Sequence, residues 1–417
     1  MTTDPRRAVE AVWRIESARL IAGLARFVRD IGLAEELAQD ALVAALEQWP
    51  ESGVPDNPGA WLMAVAKRRA VDQLRRRTVL ERKHAEIGRS LKSECEPDLD
   101  ASLDGEVEDD LLRLVFTACH PALTTPARVA LTLRLLGGLT TDEIARAYLV
   151  GESTVAQRIV RAKRTLAEAR VPFVVPRGPE LRDRLASVLE VVYLIFNEGY
   201  TATTGPEWTR PTLCSEALRL GRVLVGLMPR EAEVHGLLAL MELQASRIRA
   251  RAGPSGAPVL LLDQDRARWD QLLIRRGLAA LKRADALDPS RGPYTLQAAI
   301  AACHAQARTA EQTDWIRIAA LYAALSQRAP SPVVELNRAV ALSMAFGPAV
   351  GLELVDALRT EPTLAAYHLL PSVRGDLLAK LGRGAEARAE FERAAALTRN
   401  VRERELLLAR AAASGSS

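Results

Sequence analysis

The sequence is poor in aromatic residues. Tryptophan, tyrosine and phenylalanine make up 4% of its 417 positions, so its cores must be closed by small and aliphatic side chains. β-Branched runs are scarce while alanine, leucine and arginine dominate, which argues against sheets and for an all-α protein whose helices pack through small residues. No apolar stretch reaches the roughly 18 residues that a membrane span needs, and no N-terminal apolar segment suits a signal peptide. A cytoplasmic protein with no membrane contact is expected. The four cysteines, Cys95, Cys119, Cys214 and Cys303, form no CxxC pair, so reduced structural thiols are expected rather than a zinc site or a disulfide framework. The Cys119-His120 pair has no further ligands at metal spacing and reads as a packed thiol and a helix-end histidine. No nucleophile elbow or phosphate loop occurs either, so no cofactor, metal or catalytic residue is predicted.

A formal net charge of only +4 hides uneven placement, with basic clusters near the N-terminus and around residues 158–170 offset by acid elsewhere. Such clustering suits a local nucleic-acid patch. The second cluster lies in LTTDEIARAYLVGESTVAQRIVRAKRTL, which reads as two short helices around Val150-Gly151. Thr140 or Thr141 is placed to cap the first helix with Glu143 in its first turn, and Ser153 or Thr154 to cap the second. Ile144, Ala145 and Tyr148, then Val155, Ile159 and Ala162, supply inward stripes, leaving Arg158, Arg161, Lys163 and Arg164 to project. This is a helix-turn-helix with a basic second helix.

Upstream, residues 7–77 carry three or four amphipathic helices. The segment AEELAQDALVAALEQW turns Leu37, Ala41, Leu42, Ala45 and Leu46 inward and leaves Glu35, Glu36, Gln39, Asp40 and Glu47 outward. That acidic face is either simply solvated or a docking surface for a basic partner. After the Pro/Gly-rich loop PESGVPDNPGA comes WLMAVAKRRAVDQLRRR, where Trp61 precedes Lys67, Arg68, Arg69, Arg75, Arg76 and Arg77. Basic residues beside an aromatic one suit DNA phosphates and an unstacked base, and equally suit a cationic helix with a core tryptophan. Residues 78–108 form an acidic linker. Residues 109–170 make four helices ending in the helix-turn-helix, with Thr125 as cap and Pro126 at the first position of the second helix.

The order of an acidic DAL…ALEQW helix, a Pro/Gly loop, WLMAVAKRRAVDQLRRR, a linker and a basic helix-turn-helix resembles the sigma-70 superfamily. Within it the chain is similar to the extracytoplasmic-function sigma factors, which keep the sigma-2 and sigma-4 domains. The resemblance implies no activity of an enzyme. It implies docking of Glu36, Gln39, Asp40 and Val43 on the β′ clamp helices of core RNA polymerase, with the sigma-4 domain at the β flap. It further implies minus-ten contacts by Asn57, Trp61, Lys67, Arg68, Arg69, Arg75 and Arg76, although Arg68 stands where many members carry asparagine. Minus-thirty-five contacts fall to Ser153, Thr154, Gln157, Arg158, Arg161 and Lys163, Arg being suited to read guanine or clamp phosphate. The other reading of these features is a helix-turn-helix regulator with a sensor domain that does not act as a sigma subunit.

Residues 180–417 remain. Gly375, Leu378, Gly382, Ala387, Phe391 and Ala394 occupy tetratricopeptide-like positions. Ala339, Leu342, Gly351, Val355 and Leu358 precede them, with Phe391 and Val355 offset by 36 residues. Gly277, Leu281, Ala284 and Pro289 suggest an earlier copy, and Pro330 closes another. A helical solenoid is expected. The segments FNEGY, LLLDQDRARWD, GPYTLQAAIAACHA, TDWIRIAALY and SPVVELNRAVAL resemble the C-terminal extension of DUF6596 type found in one sigma subgroup. That resemblance implies a regulatory domain, with contact between it and the sigma domains left open. The polar residues Asn197, Glu198, Tyr200, Asp263, Asp265, Arg266, Trp269 and Asp314 read as ion pairs and helix caps, or as parts of a ligand pocket.

Overall fold

A computed structural model describes residues 5–87, 107–148, 150–253 and 256–414. The chain divides into two compact units, Met1–Val191 and Val192–Ser417. Among the described residues the fold is helical apart from one short pair of strands.

In the first unit α1 (Pro5–Val28), α2 (Ile31–Ser52) and α3 (Pro58–Ile87) pack around Ile21, Leu24, Leu37, Ala41, Ala45, Trp49, Leu62 and Ala66. Alanines at the contacts let the helices approach closely, as the aromatic-poor composition requires. Arg29, at φ 54, makes the tight turn into α2, and Asp30 caps that helix by accepting from the Leu33 amide at 3.0 Å. α2 runs through Pro50 before ending at Gly53, so the Pro/Gly loop is shorter than its composition suggests. α3 likewise continues over residues 78–87, assigned to the linker from sequence, because TVLERKHAEI contains no helix breaker. Cys95 and most of the acidic stretch lie outside the described residues.

α4 (Val107–Ala118), α5 (Thr125–Leu135), α6 (Thr141–Tyr148) and α7 (Glu152–Glu168) follow, closed on Leu114, Phe116, Leu131, Leu133, Leu135 and Ile159. Thr124, not Thr125, occupies the cap position of α5, while the Thr125 hydroxyl accepts from Arg128 at 2.9 Å. The Gly137-Gly138 pair ends this helix. A Cβ at Gly137 would lie 2.5 Å from the Leu133 carbonyl oxygen, and Gly138 has φ +66°. Cys119 is buried against the Thr132 hydroxyl at 3.4 Å, and burial pushes its thiol up to about 11. His120 follows the end of α4 and its Nδ1 accepts from the Ala122 amide.

α8 (Pro179–Tyr200) contains the boundary between the units. Its first turns dock on α4 and α5: Arg184 donates to the Phe116 carbonyl at 2.9 Å, Ser187 to the Cys119 carbonyl at 2.7 Å, and Arg128 pairs with Glu190 at 3.1 Å.

The second unit continues through α9 (Pro211–Leu227), α10 (Ala232–Ala245), α11 (Gln271–Leu287), α12 (Pro293–Gln306), α13 (Trp315–Arg328), α14 (Pro332–Phe346), α15 (Pro348–Ala357), α16 (Leu369–Lys380), α17 (Gly384–Leu397) and α18 (Val401–Ser414). Proline opens α9, α12, α14 and α15, where its missing N–H costs no hydrogen bond. From α10 onward consecutive helices form packed hairpins. The repeat spacing has a structural basis: Gly375 meets Phe391, and Gly351 meets Ser343 and the Ala339 carbonyl, so in each hairpin a side chain on one helix fills the space a glycine leaves on the other. Gly277 receives Leu243 in the same way. The strands β1 (Thr204–Gly205) and β2 (Arg399–Asn400) pair in parallel, and Asn400 Nδ2 donates to the carbonyls of Ala202 and Glu207 at 3.0 and 2.9 Å. The first and last loops of the unit are thereby joined. No helix among the described residues is long and apolar enough to cross a membrane.

Candidate nucleic-acid interface

α6 and α7 form the helix-turn-helix. Thr140 makes the expected capping box, its hydroxyl accepting from the Glu143 amide at 3.1 Å while its own amide donates to the Glu143 carboxylate at 2.8 Å. Thr140→Ala removes one of these bonds and should lower stability by ~1 kcal/mol in urea denaturation. The second cap differs from expectation. Gly151 holds the cap position of α7 and makes no side-chain bond, which leaves Ser153 and Thr154 inside the first turn with exposed hydroxyls. Among the described residues neither hydroxyl caps the helix, so both face solvent. Val155, Ile159, Ala162 and Leu166 are buried. Gln157, Arg161 and Arg164 are exposed and Arg158 is half-buried.

Val160 is 65% exposed and lies beside Gln157, Arg161 and Arg164 on the outer face. Val160 is not among the residues expected at this face. Its signal was an apolar residue one position out of phase with the buried stripe at 155, 159, 162 and 166. An exposed branched methyl pair among polar and basic groups suits contact with a thymine methyl.

Lys163 is not free. Its ammonium pairs with Glu35 of α2, which also accepts from Arg134 Nε at 2.6 Å and from Gln39 Nε2 at 2.7 Å. Glu35 was expected on the outer face of its helix, and the structure corrects this: it is 4% exposed. Burial works to raise its pKa, but the two cations more than offset this and hold the carboxylate below its ordinary value. A second cross-link joins Arg26 of α1 to Asp110 of α4 at 3.1 Å. There burial prevails and the Asp110 carboxyl is raised despite Arg26 and Arg113.

On α2 the remaining outward residues form one strip. Glu36 and Asp40 are exposed, followed by Val43 at 49% and Leu46 at 40% exposure, so acid leads into an apolar patch. Leu46 was expected inward. Gln39 is turned toward Glu35, and Asp40 pairs with Arg69 of α3 at 3.1 Å.

Asn57 caps α3, its side-chain oxygen accepting from the Ala60 amide at 3.0 Å. Of the expected loop, Asn57 is therefore the cap of α3 and Pro58, Gly59 and Ala60 belong to its first turn. Trp61 is half-buried with its ring edge-on to Trp49 at 5.3 Å. Lys67 and Arg69 are half-buried, and Arg68 and Arg75 are exposed. The side chain of Arg76 lies outside the described residues.

In the second unit, Glu198 pairs with Arg210 and accepts from Thr203, and Asp265 and Asp314 cap the helices that follow them. These three thus make the ion-pair and helix-cap contacts that were one of the readings of their sequence.

The Sigma-70 region 2 family matches residues 15–79, the Sigma-70 region 4 family matches residues 113–166, and DUF6596, a family of unknown function, matches residues 184–285. An uncharacterized protein of Rhizobium meliloti (strain 1021) is 45% identical over 92% of this chain and 90% of its own length. The ECF RNA polymerase sigma factor SigK of Mycobacterium tuberculosis is 31% identical over 36% of this chain and 78% of its own length. A probable ECF RNA polymerase sigma factor, SigI of the same species, is 30% identical over 39% of this chain and 56% of its own. With the capped helix-turn-helix, its basic outer face and the upstream basic helix in place, the chain belongs to the extracytoplasmic-function sigma factors, as an alternative sigma factor with a DUF6596 extension.

Proposed function

We propose that the exposed strip Glu36, Asp40, Val43 and Leu46 docks on the β′ clamp helices of core RNA polymerase. Trp61 with the basic residues of α3 engages the minus-ten element, and Ser153, Thr154, Gln157, Arg158 and Arg161 engage the minus-thirty-five element near the β flap. The observation that carries this reading is the pairing of two outward faces on one unit, an acid-led apolar strip on α2 and a basic helix-turn-helix face on α7. Each has a different partner chemistry. Catalysis belongs to the polymerase; the sigma subunit supplies specificity in its cytoplasmic setting.

Run-off transcription with purified core enzyme and a promoter library tests the reading. Specific initiation that depends on this protein is expected. Binding of duplex DNA without core enzyme, and no initiation with it, would instead mark a conventional helix-turn-helix regulator. Val43→Glu places a charge at the centre of the docking strip and should weaken core binding by about tenfold, measured by fluorescence anisotropy, the cost of setting a charge against an apolar contact being ~1–2 kcal/mol.

The second unit is assigned a regulatory role on presentation of these faces. A chain ending at Val191 keeps the turns of α8 that dock on α4 and α5. Unchanged core binding and promoter output in that chain, compared with full length, would remove the role.

A further inference from the structure

Two segments singled out by sequence and left unused by transcription, FNEGY and LLLDQDRARWD, meet in the second unit around Arg247. Arg247 follows α10 and is 9% exposed. Its guanidinium carbon lies 5.9 Å from the centre of the Tyr200 ring and 5.6 Å from that of Trp269. Arg251 stands 3.7 Å from the same Tyr200 ring centre and 5.3 Å from that of Trp208, near enough to Arg247 for the two charges to act on each other. Arg266 stands 4.7 Å from the centre of the Trp269 ring. Three guanidiniums are therefore gathered among three aromatic rings.

Such rings cover the faces of a guanidinium and leave its N–H groups, which lie in the plane, to find acceptors at the edges. Arg266 spends its donors on the protein. It reaches the carbonyls of His304 and Ala307 and the Thr313 hydroxyl, so it is a structural tie. The other two are less well supplied. Arg247 donates to the Gln244 side-chain oxygen, and its other polar neighbours are the phenols of Tyr200 and Tyr322 and the like charge of Arg251. Arg251 donates to the Thr201 hydroxyl at 2.9 Å, while its buried Nε has no acceptor.

No carboxylate forms an ion pair with any of the three among the described residues; exposed Glu311 only adds a favourable charge near Arg266. Three other buried or half-buried arginines among the described residues behave otherwise. Arg184 is paired with Glu180, Arg210 with Glu198, and Arg374 with both Asp356 and Glu390. A buried arginine is ordinarily matched by acid, and here like charges are gathered instead. The accumulated charge is felt nearby: burial first, then Arg247 and Arg266, drives His304 down to about 3, so it stays neutral and supplies no counter-charge problem of its own.

We propose that Arg247 and Arg251 form a binding site for the oxyanion group, carboxylate or phosphate, of a small organic anion. The in-plane donors of the two arginines hold the oxyanion, and the rings of Tyr200, Trp208 and Trp269 fix the guanidiniums in place. Access is from the half-buried Arg251 and Trp208 end. The site gives the extension a ligand class and does not depend on how the sigma domains meet polymerase.

Trp208 and Trp269 lie against the arginines, so intrinsic tryptophan fluorescence of the full-length protein reports on the site. The protein is titrated with inorganic phosphate and with benzoate, each against sodium chloride of equal ionic strength. A saturable change with at least one probe, absent with chloride, is expected; phosphate alone identifies a phosphoryl ligand, benzoate alone a carboxylate, and both the shared oxyanion chemistry. Arg251→Gln should weaken binding at least tenfold and Arg247→Gln should abolish it, while Arg249→Gln, at an exposed neighbouring position, should leave it unchanged. If Arg247→Gln does not fold, Arg251→Gln decides, since its site is partly exposed. No saturable response beyond chloride, or equal binding by wild type and Arg251→Gln, overturns the proposal.

Discussion

Alanine at both Arg158 and Arg161 should reduce promoter-specific run-off transcription by about 30-fold to over 1,000-fold, since each lost arginine contact to a base or its phosphates costs ~1–3 kcal/mol. Arg158→Ala alone should account for most of a loss of promoter-specific initiation. The folded state should survive both changes. Arg161 is exposed, Arg158 is half-buried, and the helix is held by Val155, Ile159, Ala162 and Leu166 on its other face. Circular dichroism melts superimposable on wild type, together with retained affinity for core enzyme, would place the defect at DNA. Full transcription by the double variant in a reconstituted system would show that α7 does not read the promoter. Val160→Ala gives a finer test of the same face: a loss confined to promoters with thymine at one minus-thirty-five position separates base reading from phosphate attraction, which arginine alone does not.

The helices, the capping box at Thr140 and Glu143, the buried stripe of α7 and the 36-residue repeat were legible because each follows from local spacing or side-chain chemistry. What was not legible follows from contacts distant in sequence. Glu35 sits in an acidic run next to Glu36, and nothing local distinguishes the two; Arg134 and Lys163, about a hundred residues and more away, make one of them buried. Arg247 was hidden in the same way, at the end of a segment read only as part of a helical hairpin, until Tyr200 and Trp269 were brought against it. The cap at α7 failed for a different reason. Ser153 and Thr154 have the chemistry of caps, but Gly151 reaches the extended backbone conformation first and starts the helix two residues earlier. In both the clasp at Glu35 and the cluster at Arg247, the residue misplaced by local reasoning is a charge whose partners come from other elements.

Reversing the charge at Glu35 should open the first unit. In the closed arrangement the carboxylate of α2 holds Arg134 of α5 and Lys163 of α7, so a residue of the docking helix occupies a cation on the promoter-reading helix. Lys163 cannot give its charge to DNA phosphate while Glu35 holds it. Removing one member of a buried ion pair costs ~3–5 kcal/mol, and because both cations are partly solvated the lower end of that range applies. Glu35→Lys adds repulsion to the loss. Fluorescent probes introduced by Ser52→Cys on α2 and Ser153→Cys on α7 should report one narrow distance distribution for wild type and a broader, longer one for Glu35→Lys. The pH dependence has a definite sign. A carboxylate held below its ordinary value stabilises the closed form fully above about 4.3 and loses that contribution as pH falls through its depressed value. The distribution should accordingly stay constant from about pH 5 to 8 and broaden only in acid. A Glu35→Lys protein with the wild-type distribution would mean that other contacts, Arg26 with Asp110 first among them, hold the unit shut. If the clasp does hold it, the same variant should bind isolated minus-thirty-five duplex more tightly than wild type, because opening releases Lys163 to the phosphates.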